Sequence, residues 1–108
     1  MAIDLFCYSA LEPDVVKEKL EAGVQARQDL FANKFLISFV KDLRTSKEYY
    51  DLVEVEIAQE NGLSALCSFI VSLNDKNASN LLPEAEEFIR NLLGEKDVLL
   101  LLNNEERR

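Results

Sequence analysis

Val53-Glu54-Val55-Glu56-Ile57-Ala58-Gln59-Glu60-Asn61-Gly62 carries the clearest local pattern in the chain, and the predicted fold depends on it. Apolar and acidic residues alternate over its first half, which is the pattern of a strand with one dry and one wet face. Asn61-Gly62 then favours a tight type I′ turn, whose two central residues need a positive φ. Since Leu63 to Leu73 predicts a return strand, the stretch indicates a β-hairpin.

The register of this hairpin is open between two alternatives. A two-residue loop would place Glu54 opposite Phe69 and Val55 opposite Ser68, so the apolar faces would not match. Either a β-bulge shifts the pairing by one residue, or the return strand is central in the sheet and partly covered on both faces. The adjacent apolar residues Phe69 and Ile70 favour the second alternative.

The segments before the hairpin predict a strand and a helix. Ile3 to Tyr8 is short, apolar and aromatic, as expected for a strand. Pro13 suits the first turn of a helix, and the residues after it repeat an apolar side chain at four-residue spacing. The end of this helix stays open, because Gly23 could close it while residues 25–31 could continue it.

Further elements are predicted on either side of the hairpin. Phe35 to Val40 fits a buried strand or a helical turn, and its aromatic and β-branched residues favour the strand. A second helix begins near Pro83 and ends at Gly94. The continuous apolar run Val98 to Leu102 fits a buried final strand, and the polar tail Asn103 to Arg108 is expected to fray.

Together these elements predict a single α+β domain that spans residues 1–108. Their order is β-α-(β)-β-β-α-β, where the strand in brackets is the ambiguous one. Without that strand the order is that of ferredoxin-like folds. We therefore expect an antiparallel sheet of about four to five strands, with two helices packed on one of its faces.

The composition excludes several classes of function. The chain has 20 Asp and Glu against 12 Lys and Arg, so its charge of −8 opposes the phosphate contacts on which nucleic-acid binding rests. It has no His, which excludes Ser-His and Cys-His nucleophilic sites and His-based zinc sites. With only three Gly, neither a phosphate-cradling loop nor a dinucleotide fingerprint fits. We expect no cofactor and no metal.

The cysteines and the apolar runs bear on location. Cys7 and Cys67 lack the spacing of a metal or redox site, so buried reduced thiols are expected. A disulfide between them is the alternative if their strands are neighbours. The first residues do not form a signal peptide, and the longest apolar run is too short for a bilayer, which needs about 20 residues. A cytoplasmic location and no contact with a membrane are therefore expected.

Negative charge is concentrated in residues 48–60, a stretch of thirteen residues that contains two tyrosines and no Lys or Arg. The predicted partner-binding residues of this acidic stretch are Glu48, Tyr49, Tyr50, Asp51, Glu54, Glu56 and Glu60. Aromatic rings bury area at an interface while carboxylates pair with Lys or Arg of the partner. Glu54 and Glu56 would share one side of a strand, as an acid/base or metal-binding pair requires, but alternating Glu is also ordinary patterning of a solvated face.

The leading hypothesis is a non-catalytic acidic protein that recognises a basic protein partner through the acidic stretch. Bacterial immunity proteins, which neutralise a toxin nuclease by covering its phosphate-binding surface, share these gross properties. This comparison is one of class, since no family motif is matched. Carboxylates would stand in for phosphates, so association would be fast and weakened by salt. The alternative is a small α+β enzyme or ligand-binding domain that uses carboxylates and hydroxyls, as a homo-oligomer with a site between subunits.

Overall fold

The fold is built on one antiparallel β-sheet. The computed structural model describes residues 3–45 and 49–108. Along these residues the elements are β1 (Asp4–Ser9), α1 (Pro13–Ala26), α2 (Gln28–Phe31), β2 (Phe35–Ile37), β3 (Lys41–Asp42), α3 (Tyr49–Glu60), β4 (Cys67–Leu73), a 3-10 helix (Lys76–Leu81), α4 (Leu82–Leu93), β5 (Val98–Leu102) and β6 (Glu106–Arg107). The predicted α+β class with an antiparallel sheet is confirmed. The ferredoxin-like order is not, because the described residues contain additional short strands and helices.

Strand β1 lies at the centre of the sheet, between β4 and β5. The strand order is β2-β4-β1-β5-β6, and the two-residue β3 also pairs with β4. Leu5 and Cys7 point to one face of the sheet and Tyr8 points to the other, since side chains alternate along a strand. The sheet therefore has two buried faces, which we call the first face and the second face.

The first face is covered by α1 and α4, the two helices that the sequence predicts. Its buried cluster contains Leu5, Cys7, Val16, Leu20, Leu30, Phe31, Phe35, Cys67, Phe69, Val71, Leu82, Ala85, Ile89, Leu93 and Leu100. Gly23 does not close α1, which continues to Ala26. A Cβ atom at Gly23 would lie 2.9 Å from Cζ of Phe88 on α4, so this glycine lets the two helices approach closely.

The second face is covered in part by α3. Its buried cluster contains Tyr8, Leu43, Ala58, Leu63, Ala65, Leu99 and Leu101. Tyr8 is fully buried, and its hydroxyl donates to Oδ1 of Asn104 at 2.6 Å. Burial raises the pKa of Tyr8 well above its usual value, so the phenol keeps the proton that makes this hydrogen bond.

The predicted β-hairpin at residues 53–73 is wrong, because its first half forms the helix α3. A five-residue alternation does not separate a strand from a helix, and here Val55 and Ala58 lie three residues apart on the side that packs against the second face. The predicted return strand is shorter, Cys67–Leu73, and it pairs with β1 and β2. Strand β4 is therefore central in the sheet, in agreement with the second alternative given for the return strand.

Asn61-Gly62 ends α3 instead of turning a hairpin. Gly62 has a φ of 85°. Its N–H donates to the carbonyl of Gln59 at 2.9 Å, and the N–H of Leu63 donates to the carbonyl of Ala58 at 2.9 Å. These bonds satisfy carbonyls of the last helical turn. A positive φ is required by hairpin turns and by this kind of helix end alike, so the dipeptide fits both.

We expect Gly62→Ala to lower the free energy of unfolding by about 1–2 kcal/mol, because a Cβ is strained at this positive φ. Nothing crowds the position, so the loss reports backbone conformation alone. Urea unfolding followed by circular dichroism measures it. Ser64→Ala, at an exposed residue just beyond the helix, is the control and should change stability by less than about 0.5 kcal/mol. Equal stability of the two variants would contradict this end of α3.

Outside the predicted hairpin, the strand near Phe35, the second helix and the final strand are present. Phe35 to Val40 contains a strand, as favoured, but β2 ends at Ile37. The second helix ends at Leu93 with Gly94 after it, and Val98–Leu102 forms β5, both as predicted. In the tail that was expected to fray, Glu106–Arg107 pairs with β5 as β6.

Arg108 is held by an ion pair with a buried carboxylate. Among the described residues, Glu86 on α4 is the buried charged side chain. Its carboxylate lies 3.0 Å from Nε of Arg108 and 3.7 Å from Nη2 of Arg90. The N–H of Arg108 also donates to the carbonyl of Leu100 at 2.9 Å. These contacts join the tail to both α4 and β5.

Candidate functional site

From Tyr49 to Glu60 the acidic stretch lies on the helix α3, which changes the relation between its carboxylates. Glu54 and Glu56 are two residues apart, so they point to different sides of α3 and do not form the pair predicted for a strand. The Glu54 side chain is 16% exposed; it accepts a hydrogen bond from the Ser68 hydroxyl at 3.1 Å and pairs with Nζ of Lys41 at 3.1 Å. Glu54 therefore joins α3 to β3 and β4.

Glu56 and Glu60 are exposed and lie one helical turn apart, so they share the outward side of α3. Glu48 lies outside the described residues, as do the side chains of Tyr49, Tyr50 and Asp51, whose backbone begins α3. Of the predicted site residues, the structure thus brings together Glu56 and Glu60 on one exposed surface.

A β-bulge at the edge of the sheet was not predicted. Ile37 pairs with Val71 and Lys41 with Ser68, so three residues on the edge lie opposite two on β4. The extra residue pushes the Phe39 side chain outward, where it is 96% exposed. An aromatic residue is a candidate for an interface, but the sequence pattern predicted that Phe39 lies in a regular strand with buried faces.

Two grooves flank Phe39, one on each side of the sheet edge. The groove on the first face has a volume of about 450 Å³ and lies between α1 and residues 37–40. The groove on the second face has a volume of about 410 Å³, and Lys41, Glu54 and Ser68 contribute to its lining. Ser38, Phe39 and Val40 border both grooves, so the bulge forms a ridge between two concave surfaces.

The two thiols are not placed for nucleophilic chemistry. Cys7 and Cys67 are buried and free on the neighbouring strands β1 and β4, as the prediction of reduced core cysteines requires. Burial raises the pKa of Cys7 well above its usual value, and the nearby carboxylate of Glu86 adds to the shift. Burial, with a smaller contribution from Asp42, raises the pKa of Cys67 to about 11. Both thiols therefore stay protonated at neutral pH.

Metal-binding clusters and membrane-spanning helices are both absent from the part of the chain that the structure describes. No group of three or more Cys, Asp or Glu side chains there is arranged to hold a metal ion. No helix there is long and apolar enough to span a membrane.

Comparisons with known proteins identify the family. The family model for the CDI System Immunity Component matches residues 1–106. The curated Immunity protein CdiI-2 of Burkholderia pseudomallei (strain 1026b) is 39% identical over 108 residues, which are 100% of both chains. A chain of the solved CdiA-CT/CdiI toxin and immunity complex from Burkholderia pseudomallei superposes with a TM-score of 0.85 at 36% identity, covering 97% of this chain and 95% of that one. The chain therefore belongs to the family of CDI system immunity components and is a toxin-neutralising immunity protein, as the leading hypothesis from its sequence predicted.

Proposed function

We propose that this protein neutralises a CdiA-CT toxin domain by binding it, without chemistry of its own, in the cytoplasm. The observation that carries the proposal is the match, along 97% of the chain, to a chain of a CdiA-CT/CdiI toxin and immunity complex. The buried, protonated thiols support a non-catalytic role, since the protein contains no His to act as a general base.

The proposed partner is a basic toxin, and a nuclease fits best. A nuclease needs cationic groups to hold the phosphates of its substrate, and carboxylates can occupy the same cationic surface. The charge of −8 and the two exposed acids on the outward side of α3 support this partner. In this proposal Glu56 and Glu60 contact the toxin together with Glu48, Tyr49, Tyr50 and Asp51. Glu54 holds α3 in place and, at the groove on the second face, also belongs to the proposed contact surface.

Protection of growing cells tests the function directly. A bacterium that expresses the CdiA-CT domain from the same source as this chain should stop growing, and co-expression of this protein should restore growth. The purified pair should also form a complex in gel filtration. If the protein neither restores growth nor binds that domain, the proposed function is wrong.

Charge reversal tests the acidic surface within that function. Glu56→Lys/Glu60→Lys should weaken toxin binding about tenfold or more and reduce its dependence on salt, because two favourable charges become unfavourable. Glu84→Lys/Glu87→Lys is the matched control, since it makes the same change at two exposed residues about one turn apart on α4, outside both grooves beside Phe39. Isothermal titration at two salt concentrations measures both variants. Equal losses in the two would mean that only net charge matters, and no loss in either would remove α3 from the interface.

A further inference from the structure

Phe39 is the most exposed large apolar side chain among the described residues. Its 96% exposure compares with 56% for Leu36 and 41% for Val15, the other two large apolar residues that are exposed. Single exposed apolar residues are ordinary on protein surfaces. Phe39 differs because it forms a ridge between two grooves, which is a shaped surface and not an isolated side chain.

The backbone that presents Phe39 is held by hydrogen bonds to β4. Ser38 donates its N–H to the carbonyl of Ile70 at 2.9 Å, and its Oγ accepts from the N–H of Ile70 at 2.8 Å. Residue 38 is thus fixed opposite residue 70, and Phe39 and Val40 together lie opposite Phe69. Because this backbone is already fixed, binding at Phe39 costs little backbone conformational entropy, and aromatic residues are enriched among binding hot spots.

The groove on the second face extends from Phe39 to α3, the helix of the acidic stretch. This groove is lined by the ion pair of Lys41 and Glu54, while Glu56 and Glu60 lie on the outward side of the same helix. The groove on the first face contains Lys17 and Glu21 of α1. Charged groups thus surround the apolar ridge, which is the arrangement of an apolar interface centre inside a polar rim.

We infer that Phe39 is the apolar anchor of the toxin interface, inserted into an apolar pocket of a toxin domain whose surrounding surface is basic. This inference rests on the proposed function and names the centre of its interface. Segments of the toxin fill the grooves on either side of the ridge. The acids of α3 then lie at the rim, where they pair with cations of the toxin and increase the rate of association.

Titration of the purified CdiA-CT domain with Phe39 variants tests the inference. Phe39→Ser should weaken binding about 100-fold or more, whereas Phe39→Leu, which keeps an apolar group on the ridge, should weaken it by less than about tenfold. Val15→Ser is the matched control, because it removes an exposed apolar side chain outside both grooves. It should change the affinity by less than about twofold. Both serine variants should melt within about 1 °C of the wild type, since neither side chain is packed in the core.

The outcomes separate this inference from the proposed function. Wild-type binding with a selective loss in Phe39→Ser supports both. Wild-type binding that Phe39→Ser leaves unchanged overturns the inference and leaves the function intact, whereas no binding by the wild type overturns the function as well. Light scattering identifies another occupant: if Phe39→Ser abolishes a wild-type dimer while toxin affinity is unchanged, the ridge binds a second copy and the inference is wrong.

Discussion

Phe69→Ala is expected to lower the free energy of unfolding by about 3–5 kcal/mol, measured by urea unfolding. Phe69 is 2% exposed and belongs to the cluster on the first face, while its strand β4 is paired on both sides. Central pairing prevents the strand from moving inward to fill the space of the lost ring, so much of the cavity should persist. Since small domains are stable by only about 5–15 kcal/mol, this variant should lose a large part of its stability.

Two variants make that result specific to the core. Phe69→Leu keeps most of the buried volume and should lose about half as much stability or less. Leu36→Ala, at a side chain that is 56% exposed on the neighbouring strand β2, should lose less than about 1 kcal/mol. A smaller loss for Phe69→Ala than for Leu36→Ala would contradict the assignment of Phe69 to the core.

Arg108→Ala is expected to cost about 2–3 kcal/mol of stability. The substitution removes the cation 3.0 Å from the buried carboxylate of Glu86 and leaves only Arg90, at 3.7 Å. Removing one partner of a fully buried pair costs about 3–5 kcal/mol. The Arg108 side chain is 26% exposed, so water can reach the vacated position and reduce the loss. Thermal unfolding by calorimetry measures it.

A double-mutant cycle distinguishes the ion pair from the packing of the tail. In a Glu86→Gln background Arg108→Ala should cost much less, because no buried carboxylate is left without its partner. Glu106→Ala removes a partner of Arg108 that is 64% exposed and 3.4 Å away, and it should cost less than about 0.5 kcal/mol. Equal costs of Arg108→Ala in both backgrounds would assign the effect to packing.

Elements with end signals at both termini could be predicted from the sequence. Pro83 and Gly94 bracket α4, and Val98 to Leu102 is apolar at every position, so each admits few alternatives. The structure of residues 53–62 was predicted wrongly, because the alternation of apolar and acidic residues is short and the glycine suits both a hairpin turn and a helix end. Only packing against the second face, through contacts distant in sequence, settles which structure forms.

The function was more predictable than the site. The composition alone favoured a binding protein, because the chain has no His, few glycines and a charge of −8, and these features exclude many classes of enzyme. The position of Glu54 depends on Ser68 and Lys41, which meet it only in the folded chain. The display of Phe39 depends on how two short strands pair with β4, and no local pattern encodes that difference.

The bulge also bears on the solubility of the protein. An unpaired sheet edge can act as a template for a strand of another molecule and so begin aggregation. Here the outer edge consists of β2 with three residues and β3 with two, and the extra residue between them breaks the spacing of backbone donors and acceptors. An incoming strand could therefore pair with only a few consecutive residues, so the residue insertion that displays Phe39 also protects this edge from polymerisation.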